Sequence, residues 1–325
     1  MVKKILVTGG CGYVGSKLSQ ELINSNFLVK VLDLQIYGKN LSANKNLELI
    51  KGDIRDTELV KSISKDVDTV IHLACISNDP SFELNPELGR SINLDSFLPF
   101  LKICEANKVK KFIYASSSSV YGIKNIKNVS ENESLKPITD YSRYKARCEE
   151  ILMNFKSDMI KTILRPATVC GLSKRLRLDL VVNIITKHAF FDKKISIFGG
   201  MQLRPNIHIN DMVDAYILLL NLPDKKIHNK IFNVGCENLS LNEIGEKVRL
   251  ILNPNLKLHI TATDDNRSYH ISSEKIKTEL GFVPKRKVED AINDLKIYFK
   301  KFDNKENFNK DIFYNIKRMQ NTNLQ

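Results

Sequence analysis

The run Tyr141-Ser142-Arg143-Tyr144-Lys145 places a phenol and an ammonium four positions apart. On a helix, positions i and i+4 share a face, so both groups would enter one cleft. A free phenol titrates near pH ~10 and is a poor base at neutral pH. Two close cations in a desolvated site favour the phenolate, and lowering the pKa by ~3 units needs about 4 kcal/mol of differential stabilisation. Alone, such a pair is an ordinary surface contact. A second run, Ala115-Ser116-Ser117-Ser118-Ser119-Val120-Tyr121-Gly122, follows a β-rich stretch. A hydroxyl there can hydrogen-bond a reacting oxygen and shuttle its proton.

A third constellation suits phosphate. Thr8-Gly9-Gly10-Cys11-Gly12-Tyr13-Val14-Gly15 joins an apolar strand to an amphipathic helix. Gly9 permits a tight turn, Gly12 a close approach to a diphosphate, and Gly15 tight helix–sheet packing. The amides at the helix start, at Tyr13 and Val14, face the anion. Asp33 closes the next strand, where a carboxylate holds the hydroxyls of an adenosine ribose. No Arg or Lys stands at Leu34, Gln35 or Ile36 to hold a 2′-phosphate. The turn and the aspartate together predict NAD rather than NADP. Gly52-Asp53-Ile54 would lie beside the adenine, although Asp53 alone equally suits a helix start.

These groups need a scaffold, and the hydrophobic pattern supplies one. Ile5–Val7, Leu28–Leu32, Leu47–Ile50, Thr69–Leu73, Phe112–Ala115 and Ile163–Arg165 read as strands. Val14, Leu18 and Leu22 mark a helix between the first two, Thr57–Ser64 a short one, and Tyr144, Cys148, Ile151, Leu152 and Phe155 another. Such alternation predicts an α/β fold, a Rossmann-type doubly wound parallel sheet. Residues 1–166 and about 206–235 would form the cofactor domain. About 167–205 and 236–300 would form a smaller C-terminal substrate lobe. Residues 301–325 form a polar tail with interspersed aromatics, either docked or loose.

The net charge of +13 comes from lysines spread along the chain. With no aromatic-interleaved motif, it reads as solvated surface, and no nucleic-acid partner is expected. The six cysteines are scattered without a Cys-x-x-Cys pair, so free thiols and no metal are expected. No apolar run approaches the ~18 residues of a membrane span. The short apolar stretch at the N-terminus reads as a cytoplasmic start.

With these residues in this order, the chain resembles the extended short-chain dehydrogenase/reductases. That NAD-dependent epimerase/dehydratase group includes UDP-galactose 4-epimerase and nucleotide-sugar dehydratases. The resemblance implies that Ser117 is the catalytic hydroxyl, Tyr141 the base, and Lys145 its partner, which also holds the nicotinamide ribose. It implies that Leu73 and Ala74 of His72-Leu73-Ala74, together with Ser116 and Pro166, border the cofactor. Asn93 matches a structural asparagine. It implies a nucleoside-diphosphate sugar as substrate, with Ser119 and Thr168 in the sugar pocket. Arg204 and Arg267 would hold the diphosphate, arginine being suited to phosphate by its fork and permanent charge. Arg175 and Arg177 add positive potential, and His208 reads as structural.

Related dehydratases carry two acidic residues after the catalytic hydroxyl. Here those positions are Ser118 and Ser119, which disfavours elimination. The resemblance then leaves a 4-epimerase working through a 4-keto sugar, or a one-way 4-dehydrogenase or 4-ketoreductase. A catalytically silent NAD-binding protein is the alternative of another class. It also implies a homodimer built on helices 91–107 and 141–155, with Phe97, Leu98, Leu101 and Leu152 as its apolar surface.

Overall fold

The computed structural model describes residues 3–126, 128–264, 268–322 and 324. Its strands are β1 (Lys4–Thr8), β2 (Leu28–Asp33), β3 (Leu47–Lys51), β4 (Thr69–His72), β5 (Lys111–Ala115), β6 (Ile160–Pro166), β7 (Thr168–Cys170), β8 (Ile195–Phe198), β9 (Leu203–His208), β10 (Lys230–Val234), β11 (Glu237–Ser240) and β12 (Leu258–Thr261). Seven of them form one sheet in the order β10-β6-β5-β4-β1-β2-β3. Every pairing in it is parallel. The six strands read from the sequence are its first six. The seventh, β10, aligns Ile231 with Ile163 at the outer edge of β6.

Strand β1 shows why the sheet is covered on both faces. Its side chains alternate, as a pleated strand requires. Ile5 and Val7 enter one apolar cluster with Leu18, Leu22, Leu219 and Phe232. Leu6 enters another, with Phe97, Phe100, Leu101 and Phe112. The helix Tyr13–Asn24 and the helix Ile209–Asn221 pack together over the first face. The strand order reverses between β1 and β4, and the crevice outside their carboxyl ends is where such sheets hold ligands.

Two smaller sheets, β11-β9-β7 and β12-β8, lie beyond β6. They share a third cluster with the helices Val181–Phe191, Leu241–Leu252 and Val288–Phe299 through Val182, Ile185, Ile244, Val248 and Ile292. The tail is docked. Phe302, Phe308, Phe313 and Tyr314 pack against Leu176, Leu178, Leu295 and Phe299. Burying several large rings offsets the cost of ordering a polar segment.

The helix expected over 91–107 is interrupted. Ser91–Asp95 is a π-helical turn, and the α-helix proper is Phe97–Ala106. Pro99 has no N–H, and its ring crowds the carbonyl four residues back, so the chain widens just before it. Of the apolar residues assigned to a dimer face, Phe97, Leu101 and Leu152 are core, and Leu98 is exposed. All six cysteines are free. Among the described residues, no helix is long and apolar enough to cross a membrane, and no cluster of His, Cys, Asp and Glu could hold a metal.

Candidate active site

A cavity of about 850 Å³ runs along the carboxyl edge of the sheet. Its floor begins with the glycine turn. Gly9 has φ +72°, and a Cβ there would meet the backbone nitrogen of Ala74 at 2.8 Å. A Cβ on Gly15 would lie 2.1 Å from the Gly9 carbonyl oxygen. Gly12 is the N-cap of the helix Tyr13–Asn24, makes no side-chain cap bond, and is followed by no acidic residue in the first turn. The helix start therefore offers amides and a positive dipole end to an anion. Gly9, Gly12, Tyr13, Val14 and Gly15 all line the cavity, as do Asp33, Ile54, Leu73, Ala74 and Pro166.

Asp33 is fixed by the backbone amides of Cys11 (2.9 Å) and Gln35 (2.6 Å). Burial nonetheless raises its pKa. Asp53 does not join them. Its carboxylate is turned onto the Arg55 guanidinium, at 2.7 Å to Nη2, and Gly52 and Ile54 line the cavity on either side of it. A neighbouring guanidinium is the stronger partner for a half-exposed carboxylate. Asn93 pins the loop after β4, donating to the carbonyl of Ile76 and accepting from its amide. His72 accepts or donates through Nδ1 to Thr8 Oγ1 at 2.9 Å among aromatic rings. Burial, with help from the Lys145 charge, drives its pKa down to about 3.

Tyr141 and Lys145 stand on the helix Asp140–Asn154, started by a capping box between Thr139 and Ser142. Tyr141 and Lys145 line the cavity together with Ser116, Ser117 and Ser119. Lys145 Nζ donates to the Ala115 carbonyl at 2.6 Å and lies 5.9 Å from the centre of the Tyr141 ring. The Ser117 and Ser119 hydroxyls are 2.9 Å apart. Desolvation holds the Tyr141 phenol well above its ordinary value, and Cys75 and Asp79 push the same way. Arg177 and a hydrogen bond with Ser117 pull it back. The lowering expected for Tyr141 rests on two cations, the Lys145 ammonium and an oxidised nicotinamide, and the protein alone supplies only the ammonium. The ammonium is anchored to a carbonyl over the ring, and burial outweighs it.

The sequence reading gave Glu149 no role. It continues the row Tyr141, Lys145 by one more turn and takes the Ser116 hydroxyl. It also forms a fully buried ion pair with Arg165, 2.6 Å between Oε2 and Nη2. Arg165 donates to Tyr121 Oη (2.7 Å), which donates to Asn233 Oδ1 (2.7 Å). The Ser116 hydroxyl is therefore spent on the framework. A carboxylate one turn beyond Lys145 on the row Tyr141, Lys145 was the available signal.

At the other end, Thr168 on β7 and Arg204 on β9 line the cavity. Arg204 donates to the Leu203 carbonyl and lies 5.7 Å from the Tyr269 ring centre. Arg267 lies outside the described residues. His208 caps the helix Ile209–Asn221 by accepting from the Asn210 amide, which is a structural role. Arg175, Arg177, Asn315 and Met319 also line the cavity. The last two come from the tail and were missed.

The arrangement fits a dinucleotide. The glycine cradle would be filled by any Cβ, the helix start is open to an anion, and the buried guanidinium atoms Arg175 Nε and Arg177 Nη2 have no partner among the described residues. Asp33 would hold the adenosine ribose, and Tyr141 and Lys145 the nicotinamide end.

Comparisons agree with this geometry. Residues 5–235 match the NAD dependent epimerase/dehydratase family. The chain is 31% identical to a UDP-glucose 4-epimerase of Lactobacillus helveticus, over 89% of this chain and 94% of the relative. It is 30% identical to a dTDP-D-glucose 4,6-dehydratase of Dictyostelium discoideum, over 76% of this chain and 62% of the relative. The crystal structure of a UDP-glucuronic acid 4-epimerase from Bacillus cereus, in complex with UDP-glucuronic acid and NAD, superposes with a TM-score of 0.80 at 27% identity, covering 92% of this chain and 99% of that one. With a family model matched over residues 5–235 and a relative 31% identical over most of its length, the chain belongs to the NAD-dependent epimerase/dehydratase family.

Proposed function

We propose that the protein is a nucleotide-sugar 4-epimerase acting through a 4-keto intermediate. Ser117, Tyr141 and Lys145 meet on one cavity wall, while serines occupy positions 118 and 119. The observation that carries the reading is this group followed by serines, not carboxylates, at positions 118 and 119. The 4-epimerase relatives support it. Bound NAD supplies a hydride acceptor, then a hydride donor, and a positive ring charge near the phenol. Tyr141 Oη takes the C4-hydroxyl proton and later returns it. Ser117 hydrogen-bonds the same oxygen. Lys145 orients the ribose and adds positive potential that stabilises the phenolate. Ser118 and Ser119 cannot take a proton from C5 as a carboxylate would, so water is not eliminated. Thr168 contacts the sugar, and Arg204 pairs with the diphosphate.

The test is to incubate the purified protein with UDP-, GDP- and dTDP-hexoses and resolve the products by NMR. A mixture of C4 epimers, with no net accumulation of reduced cofactor, is expected. Stoichiometric accumulation of NADH would instead establish a one-way dehydrogenase, and a 4-keto-6-deoxy product would establish a dehydratase.

A further inference from the structure

The tail residue Asn315 stands where three parts of the cavity roof meet. It is almost fully buried. Its Oδ1 accepts from Arg175 Nη2, its backbone amide donates to Asp179 Oδ2 at 2.8 Å, and its Nδ2 donates to Ser77 Oγ at 3.0 Å. Arg177 donates to Asp179 from Nε at 2.6 Å and to Ser77 from Nη1 at 3.4 Å. Among the described residues, Asp179 is the one carboxylate bonded to this pair of guanidiniums. Two cations and one anion are therefore buried together, 3% and 8% of the arginines remaining exposed. Arg175 Nε and Arg177 Nη2 are left without partners. Burial and the Arg177 charge push the Arg175 guanidinium down to about 10. Buried donors on a charged group are seldom left unmade without a ligand to receive them.

The position of the pair identifies that ligand. Arg175 stacks on Tyr37, 4.0 Å from its ring centre, a few residues past Asp33. Its charge acts on Asp33, and that of Arg177 acts on Tyr141. The loop that carries both is tied to the first turn of the phosphate-facing helix. Tyr13 Oη donates to the Gly171 carbonyl at 2.7 Å, and Ser173 Oγ donates to the Tyr13 carbonyl at 2.8 Å. Asn183 Nδ2 bridges Tyr13 Oη and the Arg177 carbonyl. The arginines thus line the same cavity as Asp33, Tyr141 and the glycine turn, one acting on each end of it. The tail is held there by its aromatic cluster, by the amide of Leu178 donating to the Phe313 carbonyl (2.9 Å), and by Arg318 Nε donating to the Ile36 carbonyl.

We propose that the docked C-terminal tail is a working wall of the cofactor site: through Asn315 it aims Arg175 and Arg177 at the dinucleotide's pyrophosphate, closing a grip whose other jaw is the helix start at Gly12–Val14. Arg175 and Arg177 are binding residues, and Asn315 is a positioning residue. The grip strengthens the hold on NAD through its pyrophosphate. The inference rests on the cofactor and stands whichever sugar reaction the site performs.

The experiment compares full-length wild type, Arg175→Gln and Asn315→Ala, each with its melting temperature recorded. Binding of NAD, ADP-ribose, adenosine and UDP is measured by calorimetry, and NAD retention by gel filtration of loaded protein. The expected result is a 10- to 100-fold loss of affinity for NAD and ADP-ribose in Arg175→Gln, a smaller loss in Asn315→Ala, and unchanged adenosine and UDP. Arg175→Lys should recover part of the loss, because it restores charge without the fork. Unchanged NAD affinity overturns the proposal. Equal losses for NAD and adenosine also overturn it, since they mean general damage to the pocket. Weakened UDP with intact NAD overturns it too, by assigning the arginines to the substrate. If Arg175→Gln fails to fold, Arg175→Lys and Asn315→Ala are judged by the same ligand series and the same outcomes.

Discussion

The floor and the roof of the cavity are built on different length scales. The floor is written in short runs: the turn from Gly9 to Gly15, the strand end at Asp33, the serine loop and one helix face each show in a few consecutive residues, though their partners lie farther along the chain. The roof is assembled from afar. Arg175 meets Asn315 across a sequence separation of 140, and Arg318 meets Ile36 across 282. Local backbone requirements write themselves into short motifs, such as a glycine where a Cβ would strike a carbonyl. Long-range contacts leave no spacing to read.

If that contrast is right, a floor substitution damages fold and cofactor binding together. Gly15→Ala forces a methyl to 2.1 Å from the Gly9 carbonyl. It should destabilise by about 4–5 kcal/mol and abolish NAD retention, read by denaturant unfolding and gel filtration. A folded variant that still held NAD would break the comparison. Beneath the floor, Glu149→Gln strands the buried Arg165 charge. It should cost about 3–4 kcal/mol by the same unfolding measurement, because removing one partner of a buried pair is far worse than never having the pair.

A smaller effect comes from pH. His72 is neutral in the fold, with its pKa driven from 6.5 to about 3. Its contribution to stability is complete above the unfolded value. Below pH 6.5 the unfolded chain binds a proton that the folded chain refuses, so stability falls as the pH drops toward 3. By pH 5 this amounts to ~2 kcal/mol. Urea titrations at pH 7 and pH 5 should show that loss in wild type and a shallower one in His72→Gln. Equal slopes would remove His72 as the source.

The central strands were legible because their apolar runs are continuous and buried on both faces, as at Ile5-Leu6-Val7, and the edge strand β3 from its short apolar run at Leu47, Leu49 and Ile50. Asp33 was legible from its place after the turn. Asp53 was misplaced because nothing in Gly52-Asp53-Ile54 announces that Arg55 will claim the carboxylate. The interruption at Ser91–Asp95 was written in Pro99 and overlooked. Glu149 went unread because its partner Arg165 sits on the strand that follows its helix, outside the helix's own spacing. The docked tail was left open because its aromatics have no helical or strand period, and only the folded surface shows what they cover.

The central claim is that Tyr141 moves the proton while the cofactor stays bound, and one variant addresses it directly. Tyr141→Phe keeps the ring, its packing and its place beside Lys145, and deletes the oxygen. Turnover of the accepted nucleotide sugar should fall by about 10³-fold, while the fraction of protein carrying NAD after gel filtration stays at the wild-type value. Wild-type turnover by a fully NAD-loaded Tyr141→Phe protein would contradict the account.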